Sequence, residues 1–122
     1  MELNVRFRGG SRVDAAFDGC VVQTDQPLRD GGEASAPSPF DLFLASLAPC
    51  AGSYVLNYLR RRGLPTAGVH LVERVHSDPS SGLVDEIEIE IRVPEGFPEK
   101  YLAPMIRSAC VASARQTAHS PS

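Results

Sequence analysis

Residues 38–63 read SPFDLFLASLAPCAGSYVLNYLRRRG, and this stretch decides the fold. Ser38 can cap a helix, Pro39 suits the first helical position, and Asp41 three residues after Ser38 completes a pattern that resembles a capping box. Three arginines and Gly63 close the stretch. Cations and then a glycine are typical of a helix C-terminus, although the arginines could also form a basic patch. The stretch predicts a helix from Pro39 to about Arg62.

The predicted helix is apolar on more than one face. One row of residues at helical spacing is Phe43, Leu47, Cys50, Tyr54 and Tyr58, and the other is Phe40, Leu44, Ala48, Ala51, Val55 and Leu59. A helix with two apolar rows is expected to be buried on most sides, by a sheet or by a second subunit. An obligate homodimer is therefore expected. Asp41, Pro49 and Asn57 interrupt the apolar run, which argues against a membrane span.

The rest of the chain predicts strands and a shorter helix. Some segments alternate apolar and polar residues with period two, and others are apolar runs bounded by turn residues; both patterns predict strands. The predicted strands are 2–8, 12–17, 19–24, 69–75 and 84–93. Residues 25–37 are predicted to form a loop and residues 78–82 a hairpin loop. The clearest alternation places isoleucines opposite glutamates in 86–93, and such an acidic row is usually a solvated sheet face. Gly96 and Pro98 precede a second helix, expected over roughly Pro104–Gln116. The prediction is a single α+β domain, residues 1–122.

Charge and cysteine content narrow the functional classes. The chain has 122 residues, 12 Lys+Arg against 15 Asp+Glu, and a net charge of −3, so it lacks the basic excess that phosphate contacts require and nucleic acid is not expected as a partner. The first residues contain no basic segment followed by an apolar run, which predicts a cytoplasmic protein. In that reducing compartment the three cysteines are expected to be free or redox-active thiols.

Cys50 is the most informative of the three cysteines, because it follows Pro49 inside the apolar helix. Proline has no backbone N–H to donate to the carbonyl of Ala45, so the helix is expected to kink or restart there. If it restarts, the free amides and the dipole of a new first turn would favour Cys50 as a thiolate, the form that attacks peroxides and disulfides. The alternative is that Cys50 is a small apolar filler of the core.

Two segments carry a family resemblance. Ser38–Cys50 resembles the first cysteine motif of the OsmC/Ohr family, and Ala109-Cys110-Val111-Ala112-Ser113-Ala114 resembles the second. The resemblance implies an OsmC-like fold: an N-terminal antiparallel strand meander, a long buried central helix, a β-hairpin and a second helix. It also implies an intertwined homodimer with active sites at the interface. No cofactor and no metal are implied.

The resemblance implies a thiol-dependent peroxidase that acts on organic hydroperoxides or hydrogen peroxide. Cys50 would be the nucleophile and would become a sulfenic acid, Cys110 would condense with it to a disulfide, and an external dithiol would reduce that disulfide. Arg12 is the best match for the family's arginine that holds the thiolate. The alternative for Arg12 is an ordinary surface charge beside a turn.

The chain also departs from the family pattern. Phe40 stands where the hydroperoxide-resistance branch has a glutamate, and the neighbouring Asp41 already has a capping role. Val111 replaces a proline. The chain stops at Ser122, where relatives usually continue into a short final strand, so that strand is expected to be missing. These departures leave an alternative to the peroxidase function: an OsmC-like module that binds a small apolar ligand or senses redox state. A metal site of Cys50, Cys110 and His119 lacks the usual ligand spacing.

Overall fold

The computed structural model describes residues 1–109 in full and residues 114–119 as the backbone of a strand. The elements are β1 (Asn4–Gly9), β2 (Arg12–Phe17), β3 (Cys20–Thr24), α1 (Pro39–Arg61), β4 (His70–Ser77), β5 (Val84–Arg92), α2 (Leu102–Ser108) and β6 (Ala114–His119), with 3₁₀ turns at Leu28–Asp30 and Glu99–Tyr101. The chain forms two compact units, residues 1–45 and residues 46–122. The predicted α+β class is confirmed.

The first unit is built on the predicted meander, an antiparallel sheet in the order β1-β2-β3. Phe17 pairs with Cys20, so Asp18 and Gly19 form a two-residue hairpin turn. Both turn residues have positive φ, 49° and 77°. A type I′ turn requires this, and its twist matches that of the flanking strands, which is why Asp-Gly is favoured there.

One face of this sheet is apolar and largely uncovered. The register places Val5 beside Ala15 and Phe7 beside Val13, and Ala15 beside Val22. Val5 is 63% exposed and Phe7 is 84% exposed. The buried residues of the first unit are all polar, namely Asp14, Thr24 and Asp25. Residues 1–45 therefore contain an apolar sheet face without a hydrophobic core of their own.

Asp25 organises the loop that connects β3 to α1. Its side chain is 1% exposed. The carboxylate accepts hydrogen bonds from the Ser35 hydroxyl (2.5 Å), the Gln26 amide (2.7 Å) and the Ser35 amide (3.0 Å). These bonds, the Ser35 hydroxyl foremost, lower the pKa of Asp25 to about 2 because they stabilise the charged form.

We expect Asp25→Asn to lower the Tm by several degrees at pH 7. Because the folded-state pKa of Asp25 lies below that of the unfolded chain, about 3.9, its contribution is fully present above pH 4 and is lost as the pH falls towards 2. Thermal melts of both proteins at pH 7, 4 and 2.5 should therefore converge at the acid end. Asp30→Asn, an exposed change in the same loop, is the control and should leave the Tm unchanged. An Asp25→Asn deficit of constant size at all three pH values would contradict this account.

The hydrophobic core lies in the second unit, between α1 and the sheet of β4, β5 and β6. Ile89 and Ile91 of β5 are fully buried against Ala51, Val55 and Leu59 of α1. This confirms the predicted isoleucine alternation. The other face of β5 is ion-paired rather than bare, since Arg74 of β4 binds Glu88 and Glu90, both at 3.1 Å. The hydrogen bond from Arg74 lowers the pKa of Glu90.

Helix α1 begins as predicted. The Ser38 hydroxyl accepts a hydrogen bond from the Asp41 amide at 3.1 Å, which is the expected N-cap. Burial is narrower than expected: only Ala51, Val55, Tyr58 and Leu59 are buried, all in the second half of the helix. Within a single chain the first half of α1 stays uncovered, so its burial by a second subunit remains a prediction. By length and composition alone α1 also resembles a membrane-crossing helix, as core helices of soluble proteins often do.

The end of the chain differs from the sequence prediction. The second helix, expected over roughly Pro104–Gln116, spans Leu102–Ser108. Residues 114–119 instead form β6, which pairs in parallel with β5 from Ile87↔Ala114 to Arg92↔His119. The expectation that a final strand is missing is therefore wrong. The free edge of β5 supplies backbone partners, and such a tertiary interaction overrides the helical propensity of alanine, arginine and glutamine.

Candidate functional site

Cys50 lies near the middle of α1, and its thiol is free and exposed. This position contradicts the interpretation of Cys50 as a buried filler. It also contradicts a restart of the helix at Pro49, because α1 continues through that residue. One proline removes one helical hydrogen bond, and the packing of Ala51 and Val55 against the sheet stabilises the helix beyond it. Cys50 therefore does not occupy the first turn of a helix.

Glu73 fixes the helix just before this cysteine. Its Oε1 atom accepts a hydrogen bond from the Ala48 amide at 3.2 Å. Glu73 belongs to the face of β4 that turns towards the core, since it pairs with the buried Ile89. Sequence reasoning did not single out Glu73. The signal was available, because a carboxylate on the apolar face of a strand needs a polar partner.

Arg12 is the first residue of β2, in the first unit, whereas Cys50 belongs to the second. Its Nε atom donates to the Gly9 carbonyl at 3.2 Å across the β1–β2 turn. The nearby Arg8 is already paired with Asp14 at 2.6 Å. Arg12 makes no ion pair with a carboxylate of the described part of the chain. Its role towards Cys50 remains a prediction.

The other candidate residues have separate outcomes. Cys110 lies outside the described residues, so its pairing with Cys50 also remains a prediction. The side chain of His119 is likewise outside them. Among residues whose side chains are described, no group of three or more His, Cys, Asp or Glu is placed to hold a metal ion. Cys20 is a free, exposed thiol at the start of β3.

An apolar cavity lies between the second half of α1 and the start of β4. It has a volume of about 140 Å³ and is lined by Gly52, Val55, Leu56, Leu59, Thr66, Val69 and Leu71. Thr66 is the only polar residue of this lining. An apolar cavity of this size accommodates a small apolar molecule such as benzene.

Comparison with known proteins places these features in context. A family model described as OsmC-like protein matches residues 31–116. Among curated proteins, none is similar enough in sequence to count as a match. A crystal structure of a Psychrobacter arcticus protein, described as an osmotic stress induced and detoxification response protein, aligns with a TM-score of 0.77 and 21% identity, covering 98% of this chain and 94% of that one.

Two further crystal structures are similar over almost their full lengths. One is an organic hydroperoxide resistance protein from Elizabethkingia anophelis, with a TM-score of 0.64, 18% identity, and coverage of 99% of this chain and 97% of that one. The other is the organic hydroperoxide resistance protein OsmC from Legionella pneumophila, with a TM-score of 0.57, 16% identity, and coverage of 100% and 98%. At these identities the similarity establishes the fold.

Proposed function

This chain belongs to the OsmC-like protein family, and from that premise we propose that it is a thiol-dependent peroxidase with Cys50 as its nucleophile. The observation that carries the proposal is the free, exposed thiol of Cys50 on the central helix. A peroxide must reach the sulfur atom along the line of its O–O bond, which a buried cysteine would prevent. The names of two structural neighbours, organic hydroperoxide resistance proteins, support the substrate class.

The proposed reaction has three steps. The Cys50 thiolate attacks one peroxide oxygen, the O–O bond breaks, and the departing alkoxide or hydroxide takes up a proton to leave an alcohol or water. Cys50 then carries a sulfenic acid. The Cys110 thiol displaces water from this sulfenic acid and forms a disulfide, and an external dithiol reduces the disulfide by thiol exchange, itself becoming oxidised.

Arg12 is proposed to hold the thiolate and the departing oxygen. A guanidinium can donate several hydrogen bonds at once and remains charged at every relevant pH. Its terminal nitrogens are not bound by any carboxylate of the described residues, whereas the neighbouring Arg8 forms an ion pair with Asp14. This difference favours Arg12 over Arg8 for the role.

The proposal includes a homodimer in a reducing, cytoplasmic location. Support for the dimer comes from the uncovered apolar face of the β1-β2-β3 sheet and from exposed aromatic side chains on α1: Phe40, Phe43 and Tyr54. Three-stranded sheets need an apolar face packed against something to be stable. A reducing compartment would keep Cys50 and Cys110 as thiols between turnovers and supply the dithiol.

The apolar cavity beside Val55 and Leu71 favours a second candidate function, a module that binds a small apolar ligand without turnover. Phe40, which replaces the family's glutamate and stacks on Phe43 with ring centroids 6.3 Å apart, supports the same candidate. In that case the cysteines would be incidental or would sense redox state.

Consumption of peroxide by the purified protein distinguishes the two functions. The pre-reduced protein is mixed with cumene hydroperoxide or hydrogen peroxide in the presence of excess dithiothreitol, and the remaining peroxide is measured over time. A peroxidase consumes many equivalents per chain, and its mass rises by one oxygen atom in a reductant-free single turnover of the Cys110→Ser variant. Consumption no faster than that of dithiothreitol alone would reject the peroxidase and leave the binding module.

A further inference from the structure

A second polar site lies at the opposite end of α1 from its N-cap. A cleft of about 530 Å³ separates the C-terminal part of α1 from α2. Three arginines line it, Arg61, Arg62 and Arg107, together with Tyr58 and Ser108. The lining residues include no aspartate and no glutamate. The cleft therefore concentrates positive charge in a chain whose net charge is negative.

These arginines form no ion pairs within the described part of the chain, where the ion pairs involve other arginines. Residues 110–122 contain no aspartate or glutamate side chain that could pair with them. The helix end does not need them as caps either, because the Leu59 carbonyl accepts the Leu64 amide at 2.9 Å and the Arg60 carbonyl accepts the Gly63 amide at 3.2 Å.

Tyr58, which lines the same cleft, has a buried hydroxyl without a hydrogen-bond partner among the described residues. Its side chain is 6% exposed. A buried tyrosine hydroxyl normally finds a partner, so this unpaired hydroxyl is a polar group that a molecule bound in the cleft could satisfy. The Arg62 guanidinium lies 3.7 Å from the centre of the Tyr58 ring, and this cation–π contact orients the charge at the wall of the cleft.

We propose that this cleft binds a small organic phosphate monoester. A phosphate monoester carries nearly two negative charges at neutral pH and three acceptor oxygens, which matches the three arginines that line this cleft better than a single carboxylate does. The cleft is large enough for a small-molecule ligand rather than a bare ion. The ring of Tyr58, which lines the same cleft, provides a surface for the organic part. The site uses no cysteine and is independent of the proposed peroxidase.

The test is calorimetric titration of the full-length reduced protein with phenyl phosphate, inorganic phosphate and phenol at about 150 mM salt. We expect phenyl phosphate to bind more tightly than inorganic phosphate and phenol not to bind. Arg107→Gln should weaken phenyl phosphate binding by about tenfold or more, because one charge-assisted pair is lost. Tyr58→Phe, which keeps the ring, should weaken it as well.

Arg60→Gln is the matched control, since Arg60 belongs to the same arginine run but does not line the cleft. It removes the same charge and should leave binding within about twofold, whereas a merely diffuse electrostatic attraction would be weakened equally by Arg60→Gln and Arg107→Gln. The proposal is overturned if these two variants lose affinity equally, if phenol binds as well as phenyl phosphate, or if no phosphate probe binds the wild type. Retention of binding by Cys50→Ser would support a site separate from peroxide reduction.

Discussion

Replacing Cys50 by serine is expected to lower the rate of hydroperoxide reduction by about 1,000-fold or more, because a serine hydroxyl is not ionised at neutral pH and is a far weaker nucleophile than a thiolate. The substitution exchanges one small side chain for another at an exposed position, so the fold should survive. Initial rates with cumene hydroperoxide and excess dithiothreitol, measured beside thermal melts of both proteins, test this directly.

Cys20 provides the matched control, because it is also a free and exposed thiol. Cys20→Ser should retain the full rate. Equal loss in both variants would mean that any exposed thiol of this chain reacts non-specifically, and an unchanged rate in Cys50→Ser would remove the peroxidase proposal altogether.

Cys110→Ser separates the second step from the first. If Cys110 resolves the sulfenic acid, this variant should still consume one equivalent of peroxide per chain before the reductant acts, and a sulfenic-acid trap such as dimedone should label Cys50. Wild-type protein treated in the same way should instead form a Cys50–Cys110 disulfide and resist the trap. A wild-type chain that never forms this disulfide would leave Cys50 reactive but without its proposed partner.

Local sequence patterns predicted the elements whose stability is local. The central helix follows from Ser38, Pro39 and the apolar spacing after them, and the structure places its ends at Pro39 and Arg61. The buried strand β5 follows from the isoleucine alternation. The prediction of a helix continuing after Ser108 is wrong, because β6 depends on pairing with β5, more than twenty residues away in sequence. A preference set by such a distant partner leaves no periodicity within its own segment.

The site shows the same division. The exposure of Cys50 was not predictable, because its row of apolar residues looks identical whether it faces a core or a partner. Glu73 and the arginine cleft were missed for a different reason. The cleft joins Arg61 and Arg62 to Arg107, and the hydrogen bond joins Ala48 to Glu73. Residues so far apart in sequence meet only through the fold.

Replacing Phe7 by aspartate is expected to dissociate the proposed dimer and to destabilise the first unit. Phe7 is 84% exposed in the isolated chain, at the edge of a sheet face that has no apolar core beneath it. Burying one phenylalanine against a partner contributes roughly 1.5–3 kcal/mol to the free energy of dimerisation. Because both copies of a symmetric homodimer bury this residue, the contribution is doubled. The loss would then weaken the dimer by about 100-fold to 10,000-fold, before the added cost of burying a carboxylate.

Light scattering after size-exclusion chromatography at micromolar concentration measures this effect. Wild type should elute with twice the mass of one chain, and Phe7→Asp should shift towards the mass of a monomer, with a lower Tm. Asn4→Asp is the control, since it introduces the same charge on the same strand but on the opposite face, where Asn4 pairs with Ala16. It should remain a dimer, because the alternation of β1 directs its side chain away from the apolar face. A monomeric wild type, or equal dissociation of both variants, would contradict a dimer held together by that face.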